Sequence, residues 1–105
     1  DGDDDDYDGK PLIAHIELFA TSAPSGAWGV VQWQGSDGNW YDVEGWRGVL
    51  DSSGYRRWAV ESKDFGTSLF RWQVRRGSAT GTVVGTSETF ALPSGAGESL
   101  QITVR

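Results

Sequence analysis

Apolar and polar residues alternate with a period of two along most of the chain. In "LIAHIELFATS" Leu12, Ala14, Ile16 and Leu18 fall on one side, and His15 and Glu17 on the other. "WGVVQWQ" sets Val31 and Trp33 against Gln32 and Gln34, and "LFRWQVRR" sets Phe70, Trp72 and Val74 against Arg71, Gln73 and Arg75. "YRRWAVES" places Trp58 and Val60 together, and "SLQITVR" places Leu100, Ile102 and Val104 together. Successive side chains of a strand point to opposite faces, so each run predicts a strand with one buried face. "RGVLDSSG" holds a further short strand, and "TVVGTSETFAL" reads as a strand in which Gly85 marks a bulge. Apolar residues nowhere recur at i, i+3, i+4 and i+7 over a sustained window, so almost no helix is expected.

Turn signals punctuate these runs about every ten residues. Asp37-Gly38 is a strong hairpin signal and predicts antiparallel pairing of "WGVVQWQ" with "WYDVEGW". "GSATG" predicts a second hairpin, while "APSGA", "KDFGT" and "PSGAGE" read as loops. Seven or eight short strands in this pattern predict an all-β fold, an antiparallel two-sheet β-sandwich. The 105 residues suffice for one core without disulfides, and there is no Met. The core must therefore draw on aromatic and β-branched residues, and Trp33, Trp58 and Trp72 are its predicted centre. Residues 1–11 read as an acidic linker and 12–105 as the sandwich domain.

Trp33 on an early strand, followed by "DFGTSLFRWQV" with its Asp-x-Gly corner and alternating apolar run, resembles the immunoglobulin-like and fibronectin type III-like sandwiches. Trp72 stands where disulfide-bearing members of the family carry the second Cys, and Phe70 stands at the corner Tyr position. Phe lacks the hydroxyl that closes a tyrosine corner. The resemblance implies a non-catalytic module of a secreted or cell-surface multidomain protein, with neighbouring domains of the same polypeptide as its partners.

Charge is unevenly distributed. Of the net −6, the first ten residues "DGDDDDYDGK" contribute −5, so the predicted domain is nearly neutral. A basic footprint for nucleic acid is missing, and no nucleic-acid partner is expected. No run approaches the length of a membrane span, and none is expected to insert. Absence of Cys excludes a disulfide framework and a thiolate nucleophile. A chain that starts at Asp1 with no leader reads as a mature form or a piece of a longer protein.

"WYDVEGW" carries the candidate chemistry. Strict alternation puts Trp40, Asp42, Glu44 and Trp46 on one face. One reading is a carbohydrate platform, in which indoles roughly 20 Å apart stack on sugar rings while carboxylates between them accept hydrogen bonds from hydroxyls. The other is structural, with Trp40 packing over the hairpin and Trp46 plugging the end of the sandwich. Trp28 is open to the same two readings. Asp42 and Glu44, about 7 Å apart on one face, match the separation of an inverting glycosidase pair. Any i, i+2 acids share that spacing, and a catalytic acid also needs a cleft that raises its pKa. No catalytic residue is therefore assigned, and cross-strand pairing with Arg56 or Arg57 is expected instead. His15 is expected to face solvent from a strand.

From Asp4 the chain reads "DDDYDG", with Asp4, Asp6 and Asp8 at positions 1, 3 and 5 and Gly9 at position 6 of a calcium-loop pattern. Position 12 is His15, where that pattern has a bidentate Glu. The segment is expected to be a solvated linker, with a weak Ca²⁺ site at these three Asp residues as the alternative, and no other cofactor is expected. The functional expectation is a spacer or domain-presenting module. A carbohydrate-binding module, or a unit of a surface filament docking on another surface protein, are the alternatives.

Overall fold

The computed structural model describes residues 12–104. The proposed calcium ligands Asp4, Asp6 and Asp8 lie outside the described residues. The chain forms seven strands: β1 (Ile13–Ala20), β2 (Trp28–Gln34), β3 (Trp40–Val49), β4 (Tyr55–Glu61), β5 (Phe70–Arg75), β6 (Val83–Thr86) and β7 (Ser99–Val104). A 3₁₀ turn, Ser62–Asp64, follows β4. The strands build two sheets, one ordered β4-β1-β7 and the other β3-β2-β5-β6.

The inner faces are those that alternation marks. Ala14, Ile16 and Leu18 of β1, Trp58 and Val60 of β4, and Ile102 and Val104 of β7 meet Val31, Trp72 and Val74 of the opposite sheet in one buried cluster. Trp72 is the largest fully buried side chain. Gly29 lets its ring lie close to β2, since a Cβ there would stand 3.3 Å from Trp72 Cζ3. Turn chemistry is equally local. Asp51 Oδ1 accepts from the backbone N–H groups of Ser53 and Tyr55, and Gly54 takes a left-handed φ of 82°. A Cβ on Gly54 would fall 2.2 Å from the Ala20 carbonyl oxygen, which seats this turn directly against the end of β1.

Four expectations need correction. The sheets are not wholly antiparallel, because β7 runs parallel to β1, from His15 opposite Ser99 to Ala20 opposite Val104. Side-chain alternation is the same in either direction, so it carries no information on this point. "RGVLDSSG" contributes no separate strand, since residues 47–49 continue β3. Trp33 is not in the core, and it is 44% exposed. Finally, Trp46 does not share a face with Trp40. In the β2–β3 ladder Gln32 faces Asp42 and Val30 faces Arg47, so four residues of β3, Val43 to Trp46, oppose the single residue Val31. That bulge breaks the parity of the strand and returns Trp46 to the core side, where its ring lies 6.0 Å from that of Phe70. At Gly85 the expected irregularity is present, as the β5–β6 register shifts between Val74 and Arg75.

Candidate functional site

Antiparallel partners point to the same face, so the outer surface of the four-stranded sheet can be assembled row by row. One row holds Asp42, Gln32 and Arg71, the next Arg47, Val30 and Gln73, and the third Val49, Trp28 and Arg75. Trp40 stands beside the first row, opposite Gln34. Trp40, Asp42 and Trp28 therefore do share a surface. Glu44 and Trp46 lie within the bulge, and Trp46 is turned to the core side.

Several polar side chains on this surface bond to one another. Arg75 reaches diagonally across the middle row and forms a bidentate pair with Asp42, both N···O distances being 3.3 Å. Its Nε and Nη2 donate to Gln73 Oε1, and its Nη1 also donates to the Ala79 carbonyl. All five N–H donors of the guanidinium are thus engaged. Gln32 donates to Asp42 at 2.9 Å and accepts from Arg71 Nε at 2.8 Å. The Arg71 guanidinium in turn covers one face of Trp40, 4.4 Å from the ring centroid. Beneath this lattice Val30 is completely buried, although it belongs to the outer face.

This arrangement fixes the charge state of Asp42. Burial pushes its pKa up, but hydrogen bonds from Gln32 and Arg75, together with the charges of Arg75 and Arg47, outweigh burial and hold it below the ordinary carboxylate range. Glu44 is different, its side chain 88% exposed and, among the described residues, paired with Arg47 at 3.9 Å. The arginines expected as partners are employed elsewhere. Arg56 stacks over Trp58 and donates to the Val49 carbonyl, joining β3 to β4, while Arg57 contacts His15 and Glu17. His15 lies half-buried on the outer face of the other sheet.

A second surface was not foreseen. Trp33 faces the core side of β2, opposite Phe70 and one step beyond the Val31–Trp72 pair, but it lies outside the buried cluster and is left nearly half exposed. Tyr41, its partner across the hairpin, packs against it with ring centroids 5.3 Å apart and planes inclined by 35°. The loop between the two strands holds this pair in place. Asp37 accepts the Tyr41 hydroxyl, the Asn39 backbone N–H at 3.0 Å and the Asn39 side-chain amide at 3.2 Å. The Tyr41 hydroxyl above all, then the Asn39 N–H, keeps the Asp37 pKa low. Gly35 lies under the ring, since a Cβ there would stand 2.8 Å from Tyr41 Cε2.

Two shallow concavities meet at Trp33. One, of about 240 Å³, is bounded by Gly35, Ser36, Asp37 and Tyr41. The other, of about 400 Å³, is floored by Val43, Trp46 and Phe70 and rimmed by Glu61, Lys63 and Asp64. A larger hollow of about 710 Å³ runs along β7, with Glu88 and Phe90 as its only charged and aromatic linings. Counting outward from a two-residue Asp37-Gly38 turn would set Trp33 opposite Asp42, so the hairpin signal alone does not find this pair. The three-residue loop Ser36–Gly38, closed by the Gly35 N–H to the Asn39 carbonyl, sets Trp33 opposite Tyr41 instead.

Among the described residues, no group of three or more His, Asp or Glu side chains is placed to hold a metal ion, and no helix is long and apolar enough to cross a membrane. No protein-family model matches the chain, nor does any curated protein or solved structure.

Proposed function

We propose that the chain is a non-catalytic immunoglobulin-like module that spaces and presents neighbouring domains of a larger extracellular or cell-surface protein. The observation that carries this reading is the parallel pairing of β1 with β7. These are the first and last strands of the fold, so the described chain enters the sandwich at one end of this ladder and leaves at the other. Tension along the polypeptide then pulls the two strands past each other and loads their hydrogen bonds together, rather than peeling them one at a time. Such shear geometry raises the barrier to forced unfolding, a rate-governed process. The order β3-β2-β5-β6 facing an antiparallel β1–β4 pair is consistent with an immunoglobulin-like sandwich, and β7 in parallel beside β1 is its departure.

The charged groups support the same reading. Asp37, Asp42 and Asp51 are all held below the ordinary carboxylate range, the opposite of what a general acid needs. Single-molecule pulling tests the proposal. With handles outside Ile13 and Val104 the module should unfold in one event. The force should exceed that needed when the Ile13 handle is moved to the Ser52–Ser53 turn, which lies with Val104 at the same end of β1, so that the strands peel. Equal forces in the two geometries would defeat the mechanical role.

A further inference from the structure

We propose that the Trp33–Tyr41 end of the sandwich binds a neutral saccharide, with one sugar ring stacked on the exposed aromatic pair. The inference goes beyond the spacer reading and does not depend on it. Trp33 and Tyr41 are 44% and 42% exposed, yet they are held in fixed register by the hairpin and by the Asp37–Tyr41 hydrogen bond. Their planes, 35° apart, present a shallow apolar surface that continues toward Trp46 and Phe70.

The surrounding polar groups select the occupant. Three carboxylates, Asp37, Glu61 and Asp64, and one ammonium, Lys63, edge the two concavities. A carboxylate offers about four acceptor positions. The Asp37 Oδ2 atom receives Tyr41 and the Asn39 amide and Oδ1 receives the Asn39 N–H, and the carboxylate remains exposed at the rim. An apolar protein segment seated here would strip water from these carboxylates without replacing its hydrogen bonds. A polyanion would meet an excess of like charge. An ammonium ligand favours rings that box it in, which this flat pair does not provide, and Lys63 opposes it. A pyranose meets both requirements. Its C–H face packs on the electron-rich ring faces, and its hydroxyls donate to the carboxylates and accept from Lys63. The 400 Å³ concavity falls within the roughly 300–1,000 Å³ of small-ligand sites.

The six Trp indole N–H resonances provide the readout. The full chain is titrated with neutral oligosaccharides of β-glucan, xylan, mannan and chitin type, with alginate as polyanion and choline as ammonium. The expected result is a saturable shift of the Trp33 indole and of the Asp37 and Tyr41 amides with at least one neutral oligosaccharide. Trp33→Ala should weaken this binding on the order of tenfold or more. Asp37→Asn, which suits the same turn, should weaken it several-fold, and Trp40→Ala should leave it unchanged. The remaining indole resonances report whether each variant keeps its fold. No shift with any neutral oligosaccharide overturns the proposal. So does a response centred on Trp40, or a preference for alginate or choline.

Discussion

Trp72 and Trp33 lie on the same side of neighbouring strands, one register step apart, yet one is sealed from solvent and the other is nearly half exposed. Both follow the same rule of alternation. What separates them is position along the strand: Trp72 belongs to the buried cluster with Ile16 and Trp58, whereas Trp33 is one residue from the end of β2 and outside that cluster. Direction of a side chain and depth of its burial are thus set by different things. Direction is local, and depth depends on how two sheets of unequal extent overlap. The outer face shows the converse, since Val30 points to solvent and is still buried, under Arg75 and its partners.

The contrast between the two indoles is tested most severely by truncation. Trp72→Ala should lower stability by about 3–5 kcal/mol, the range for removing a large aromatic from a closed core. Trp33→Ala should cost clearly less, about 1–2 kcal/mol, because nearly half of its surface is already in water. Urea midpoints of the two variants measure this directly, and comparable losses would mean that Trp33 is core after all. Trp72 Nε1 is buried with no hydrogen-bond partner. Trp72→Phe should therefore recover most of the loss, as it leaves no indole N–H to desolvate.

An intermediate effect belongs to the lattice over Val30. Asp42→Ala leaves Arg75, 11% exposed, without its carboxylate, and should destabilise by about 1–2 kcal/mol. Thermal unfolding of Asp42→Ala, Arg75→Ala and the double variant would show coupling if the two act as a pair. Additive losses would reduce the lattice to independent surface contacts. The same carboxylate makes a pH prediction. Its pKa is lower in the folded state than in the unfolded chain, so its contribution is complete above the unfolded value of about 3.9 and fades as pH falls through the folded value. Between neutrality and pH 5 the contribution should stay flat. Asp42→Asn should reduce the loss of stability seen below that range.

How much of this was legible in the chain follows from the same contrast. Alternation alone locates the inner faces of β1, β4, β5 and β7, because each is regular and each buried residue there has cover. It fails at Trp46, where the four-residue bulge of β3 changes the parity, and no residue in "DVEGW" marks that count except an unremarkable Gly45. It fails again at Trp33, since sheet overlap is a property of strands far apart in sequence. The direction of β7 was unreadable for a third reason: the loop from Thr86 to Ser99 is long enough to return the chain either way. The candidate surface suffered most from these limits. Alternation marks Trp40 and Asp42, which are engaged by Arg71 and Arg75, while it sends Trp33 to the interior and does not mark Tyr41.

The smallest effect on stability discriminates most finely. Gly35 has no left-handed backbone to defend, so an Ala there is conformationally allowed and should gain up to about 0.4–1 kcal/mol through the unfolded chain. Its methyl would nevertheless stand 2.8 Å from Tyr41 Cε2 and 3.0 Å from Asp37 Oδ1, and one of them must move. Swinging the Tyr41 ring outward gives up its hydroxyl bond to Asp37, which offsets that gain, so net stability should change by no more than about 0.5 kcal/mol. The geometry of the aromatic pair should change much more. Nuclear Overhauser contacts between the Trp33 and Tyr41 rings should weaken in Gly35→Ala while those of Trp72 stay as they were. If the ring contacts persist and stability falls instead, the pair is rigidly packed, and the distinction between a sealed middle and an adaptable end would be lost.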